Sequence, residues 1–133
     1  MIMQNPGEQP FKMPPTTGVK HFFNAFKYSM QGLAAALKYE AAFRQELFFL
    51  VLMVPAAFLI GEDLLEVALM LVVLFNVLAI ELLNSGIENI VNKTIPEFDE
   101  LAGRAKDMGS AAVFIALAMV VLVWTLMVVK NFL

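Results

Sequence analysis

Cysteine is absent from this chain and histidine occurs once, as His21. The first absence excludes disulfides, thiolate metal centres and cysteine nucleophiles, and leaves the redox compartment unread. Charge is also scarce: 16% of the 133 residues are Asp, Glu, Lys or Arg, against 60% hydrophobic, with a formal net charge of -3. No basic tract tracks along the sequence, which excludes nucleic acid as a partner. The first 18 residues, with their separated prolines, lack the apolar segment and small-residue cleavage site of a signal peptide, and read as a flexible tail. So short a chain cannot hide this much apolar surface in a core of its own, because small folds leave much of their surface outside. Lipid has to cover it, and the chain reads as one integral membrane domain over 19–133.

Hydrophobic periodicity divides that domain. From residue 19 to 38, Phe22, Phe23, Phe26, Met30, Leu33 and Leu37 recur at helical spacing, with Lys20, Asn24, Lys27, Gln31 and Lys38 on other faces. This pattern predicts an amphipathic helix lying on a membrane surface, or the same helix packed on the rest of the protein. Three apolar segments follow, at about 40–60, 64–91 and 106–130, and the last runs without charge from Met108 to Val129. Gly61-Glu62-Asp63 marks one turn. Pro96 and the polar stretch after it mark the other connection, with Lys106 and Asp107 at the start of the last helix. Trp124 and Tyr39 are candidates for the membrane interfaces. The expected fold is all-α, with a surface helix and three transmembrane helices per subunit.

Charge asymmetry orients these spans. Lys20, Lys27, Lys38 and Arg44 precede the first span and Lys93, Arg104 and Lys106 lie between the second and third, whereas the turn at 61–63 has no cation. The positive-inside rule then places the N-terminus and the 92–107 connection in the cytoplasm.

This topology gathers a scattered set of polar residues at one depth. Glu81 follows Leu64 by a helical rise of about 25 Å, which puts it near the cytoplasmic edge of a hydrocarbon layer about 30 Å thick. Glu88 lies beyond it, and Glu40, Glu46, Lys106 and Asp107 come from the other chain segments at the same side. Within the second span, Glu81, Asn84, Ser85 and Glu88 stack along one face. Such a row facing lipid is costly, so it belongs to a protein interior or a wet cavity; a purely adhesive role through helix–helix hydrogen bonds is the alternative. Carboxylates without imidazole or thiolate suit a hard cation such as Mg²⁺, which keeps water or phosphate oxygens in its remaining positions. Neither GxxxxGK[ST] nor GxGxxG is present. The residues by themselves point to a membrane-surface site for a metal and an anion.

In the blocks "EAAFRQE" (Glu40 to Glu46), "ELLNSGIE" (Glu81 to Glu88) and "AGRAKDMGSAAV" (Ala102 to Val113), the sequence resembles the small prokaryotic integral-membrane diacylglycerol kinases. The resemblance extends over nearly everything from Gly18 to Leu133. It implies a homotrimer in the bacterial cytoplasmic (inner) membrane, with its active site at the cytoplasmic interface. The implied reaction transfers the γ-phosphoryl group of ATP to diacylglycerol and gives phosphatidic acid. Carried over, Glu81 is the general base, Glu40 and Glu88 hold the Mg²⁺ of the nucleotide, and Lys106 and Asp107 contact ATP. Tyr28, Glu97, Phe98 and Asp99 fall on the nucleotide side, and Asn84 and Ser110 shape the site. His21 stands where relatives can carry an arginine, so His21 or Lys20 supplies charge there. Gly86 replaces a common alanine.

Arg44, Gln45 and Glu46 begin the first span at the same interface and are candidates for the lipid glycerol region; alternatively, Arg44 pairs with Glu40 or Glu46 at helical spacing. Two rival functions remain. An undecaprenol kinase of the same superfamily would use the same carboxylates on a longer isoprenoid alcohol. A non-catalytic membrane subunit or proton-conducting oligomer would need the polar row to cross the bilayer, yet Leu69 to Phe75 is apolar and Asn76 is the only polar residue before Glu81.

Overall fold

The structure is a computed structural model. It describes residues 17–95, 97 and 99–133. The tail through residue 16 and the expected nucleotide contact Phe98 lie outside the described residues. Four helices follow one another: α1, Val19–Tyr39; α2, Ala41–Ile60; α3, Leu64–Thr94; and α4, Glu100–Phe132. The last three are long and apolar enough to cross a membrane, so the all-α, three-span expectation holds.

The chain forms two units that divide after Leu33. In the first, Gly18 has φ +70°, a conformation that costs glycine nothing, and its carbonyl accepts from the amides of His21 and Phe22 to open α1. Phe22, Phe23 and Phe26 stand exposed on that helix.

In the second unit, each helix end has a local cause. Glu40 is extended and breaks α1 from α2 in a single residue. The Arg44 guanidinium donates from Nη1 to the carbonyls of Leu37 (3.1 Å) and Lys38 (3.2 Å), so it satisfies the orphan acceptors at the end of α1. Arg44 thus pairs with neither Glu40 nor Glu46, because two unmet carbonyls lie within its reach. At the α2–α3 turn, a Cβ on Gly61 would come within 2.7 Å of Val67 Cγ2, so the turn closes only around glycine. Asp63 caps α3 by accepting from the Glu66 amide at 2.9 Å, and Asp99 caps α4 by accepting from the Ala102 amide at 2.8 Å. That second cap starts α4 at Glu100, earlier than the apolar run suggests. Lys106 and Asp107 are therefore interior helical residues, not a helix start.

Side chains seven residues apart fix the packing. Phe43, Leu50 and Ala57 form the buried stripe of α2, and Ala102, Gly109 and Ala116 form that of α4. Small residues at this spacing let α4 approach closely, as helices in lipid do when packing rather than the hydrophobic effect holds them. Between them, α3 buries Val67, Met70, Val73, Leu74 and Leu78. Trp124 joins this core and donates its Nε1–H to the Met70 carbonyl at 3.3 Å, so it is a packing residue and not a membrane-interface anchor. At the end of the bundle formed by the α2–α3 turn and the close of α4, Lys130 pairs with Glu66 and Glu62. Asn131 Nδ2 donates to the Ile60 carbonyl and to Glu66, both at 2.8 Å. Three helices are clamped there by buried Glu66.

Candidate active site

The opposite end of α3 carries the polar row. Glu81, Asn84 and Ser85 are buried and Glu88 is half-buried, although all four sit in a helix rich in leucine and valine. Burial of this kind is stable only when the groups meet other polar groups. Ser85 Oγ donates to Glu81 Oε1 at 3.4 Å, and the Asn84 amide lies beside the same carboxylate. Glu88 and Glu40 are close enough to impose their charge on Glu81, and Glu46 and Glu81 repel in the same way. All four carboxylates come from the first two of the three sequence blocks, and they converge because α2 packs along α3.

Glu40 reaches the row through a residue that sequence reasoning missed. Asn89 Nδ2 donates to Glu40 Oε1 at 2.8 Å, which holds the carboxylate at the α1–α2 break against the last turns of α3. Asn92 is a second omission. Its Oδ1 accepts from Lys106 Nζ at 3.1 Å and anchors the lysine of α4. The signal was available, since Ser85, Asn89 and Asn92 continue the helical three-and-four spacing beyond Glu81.

Two cavities touch α3, one before and one after Glu81 along the helix, and Glu81 lines neither. One, of about 290 Å³, is lined by Asn92, Ile95, Glu97, Asp99, Gly103 and Lys106, among others. It brings together three residues expected on the nucleotide side: Glu97, Asp99 and Lys106. Asp107 and Ser110 stand exposed on α4 outside that lining. The other cavity, of about 260 Å³, is almost wholly apolar, bounded by Phe49 and Met53 of α2, Leu74 and Val77 of α3, and Leu117 and Val120 of α4. Its polar wall is Glu46, whose Oε2 is buried without a hydrogen-bond partner. Gln45 and Arg44 are exposed beside it in sequence, the latter engaged with the end of α1. Tyr28 and His21 belong to the first unit, where both are exposed on α1.

Among the described residues no cluster of three or more His, Cys, Asp or Glu side chains is arranged to hold a metal ion. Glu40 and Glu88 offer instead two half-buried carboxylates, each near enough to act on Glu81. That donor set fits a hard divalent cation that takes one or two protein carboxylates and completes its shell with water or phosphate oxygen.

The family described as prokaryotic diacylglycerol kinase matches residues 27–128. A diacylglycerol kinase of Haemophilus influenzae is 49% identical over 112 residues, 84% of this chain and 95% of that protein. One from Pseudomonas aeruginosa is 45% identical over 115 residues, 86% of this chain and 92% of that protein. One from Escherichia coli K12 is 42% identical over 117 residues, 88% of this chain and 96% of that protein. Matched along most of its length by family and relatives alike, the chain belongs to the prokaryotic diacylglycerol kinase family.

Proposed function

We propose that this protein transfers the γ-phosphoryl group of ATP to the free hydroxyl of diacylglycerol, giving phosphatidic acid and ADP. The observation that carries the reading is the place of buried Glu81 along α3, after Leu74 and Val77 of an apolar cavity and before Val91 and Asn92 of a polar cleft with Lys106. A diacylglycerol molecule has the same division, with acyl chains in lipid and a single hydroxyl at the boundary with water. Nucleotide approaches from the aqueous side.

In this scheme the substrate hydroxyl oxygen attacks the γ-phosphorus, the bond from that phosphorus to ADP breaks, and the hydroxyl proton passes to the Glu81 carboxylate. Ser85 and Asn84 orient that carboxylate through their polar hydrogens. Lys106, fixed by Asn92, supplies positive charge to the phosphates. Glu40 and Glu88 would hold Mg²⁺, which would neutralise phosphate charge when bound. Asp107, Glu97 and Asp99 complete the nucleotide side. Glu46, Gln45 and Ser110 lie toward the lipid. The working form is a homotrimer in the bacterial inner membrane, with the site at its cytoplasmic face.

The test is transfer of labelled γ-phosphate from Mg-ATP to lipid by purified protein in mixed micelles containing diacylglycerol and undecaprenol together. Label in phosphatidic acid is expected, with Glu81→Gln slowing turnover by about 10²- to 10⁴-fold while nucleotide still binds. Label confined to undecaprenyl phosphate would replace the substrate, and retention of full turnover by Glu81→Gln would remove the base assignment.

A further inference from the structure

Glycine occurs three times on α3 and α4 near the polar row, and the three positions differ in the space around them. A Cβ added at Gly86 or at Gly103 would meet nothing within 4 Å. At Gly109 it would collide with Asn84 Oδ1, closer than any non-bonded pair tolerates, and would stand 3.3 Å from Asn84 Cγ. Neither atom can give way easily. Asn84 is buried on α3, its Oδ1 has no hydrogen-bond partner, and the rest of its amide lies beside Glu81. An unpartnered buried carbonyl oxygen is costly, so its orientation has a cause other than its own bonding. That cause is on the amide's other side: turning Oδ1 toward the bare Cα of Gly109 leaves Nδ2 directed at the Glu81 carboxylate.

We infer that Gly109 is a positioning residue for phosphoryl transfer: its missing side chain is the seat for Asn84 Oδ1, and through Asn84 it sets the orientation of Glu81. The inference rests on the reading of Glu81 as the general base. A methyl group at position 109 displaces the Asn84 amide from its place beside the Glu81 carboxylate. Displacements of this order at a reacting group cost about 100-fold in rate. Nucleotide affinity stays, because Lys106, Asn92 and Glu97 line a cleft from which Gly109 and Asn84 are absent.

The experiment is a double-mutant cycle on the detergent-purified full chain, following kcat, the KM for Mg-ATP and the thermal midpoint. Gly109→Ala is expected to lower kcat by at least about tenfold with KM changed less than about twofold. It should also lower the thermal midpoint. Asn84→Ala should lower kcat similarly. In the double variant the two methyl-sized side chains fit together, so the thermal midpoint recovers while kcat falls no further than in Asn84→Ala alone. Gly86→Ala, at an exposed position with open space, should behave as wild type in every measure.

Wild-type kcat in Gly109→Ala would overturn the inference, as would a double variant whose loss is the product of the two single losses. Should Gly109→Ala fail to fold, the double variant decides: folded with the activity of Asn84→Ala it supports the seat, and unfolded it shows that Gly109 serves packing unrelated to Asn84. Wild-type transfer to diacylglycerol checks the underlying reading separately. Transfer to undecaprenol alone corrects the substrate and leaves the cycle to be read with that lipid, whereas no transfer to either lipid overturns both.

Discussion

A lysine near phosphates contributes little if its flexible stem wanders, and Lys106 is tethered by a single neutral partner, Asn92 Oδ1. Hydrogen bonds to charged groups are worth about 1.5 to 3 kcal/mol in protected settings and less in water, where this exposed pair sits. Asn92→Ala is therefore expected to raise the KM for Mg-ATP by about threefold to tenfold with little change in kcat, measured at saturating lipid. A fall in kcat with unchanged KM would mean that Asn92 acts at the reacting atoms instead. The same logic applies to Asn89, which holds Glu40 at 2.8 Å. Asn89→Ala should raise the Mg²⁺ concentration needed for half-maximal rate by about threefold or more while diacylglycerol dependence stays the same. Mg²⁺ titrations of the two proteins at fixed ATP would decide it. Glu81, Asn84, Glu88, Glu40 and Lys106 were legible in the sequence because charge is rare there and helical spacing stacks most of them. Asn89 and Asn92 were not singled out, because an uncharged amide near a helix end reads as solvated until its partner on another segment is known.

The helices themselves are fastened at the end remote from the polar row. Glu66 is buried, accepts from Lys130, Asn131 and the Glu62 amide, and ties α3 to α4 and to the α2–α3 turn. Removing Lys130 leaves the Glu66 carboxylate without its cation, a cost that the exposure of Lys130 reduces. Lys130→Met is expected to lower the thermal midpoint while leaving kcat and both KM values unchanged. Thermal unfolding in detergent, read beside the kinetic constants, checks this, and a loss of activity without loss of stability would contradict it. In the sequence Glu66 was visible only as an interruption of an apolar run. Its partner lies at the far end of another helix, and no local pattern links positions 66 and 130. Trp124 was misjudged for a related reason: an indole near the end of a span suits a membrane interface by composition, and only the approach of α3 reveals the Met70 carbonyl that takes its proton. The helices were legible because their apolar runs are long, and the start of α4 was not, since a cap at Asp99 extends it beyond the apolar run.

For the molecule as a whole, the Lys130 clamp bears on orientation in the membrane. Lys130 is a single cation on the side that the positive-inside rule assigns outward, against Lys38, Arg44, Lys93, Arg104 and Lys106 at the other ends of the helices. The unbalanced excess of Lys and Arg stays with the ends of the helices that carry Glu40, Glu88 and Lys106. The rule therefore predicts that those ends face the cytoplasm, as a reaction with ATP as the phosphoryl donor requires. Because the chain has no cysteine, single cysteines report orientation without background. Leu133→Cys lies at the clamped end, where Leu133 is 96% exposed, and Thr94→Cys lies at the end with the polar row. A membrane-impermeant maleimide applied to intact cells stripped of their outer membrane should label Leu133→Cys at once and Thr94→Cys only after permeabilisation. The reverse pattern would put Glu81 and the Lys106 cleft outside the cell, away from cytoplasmic ATP, and would remove the nucleotide from the mechanism along with the orientation.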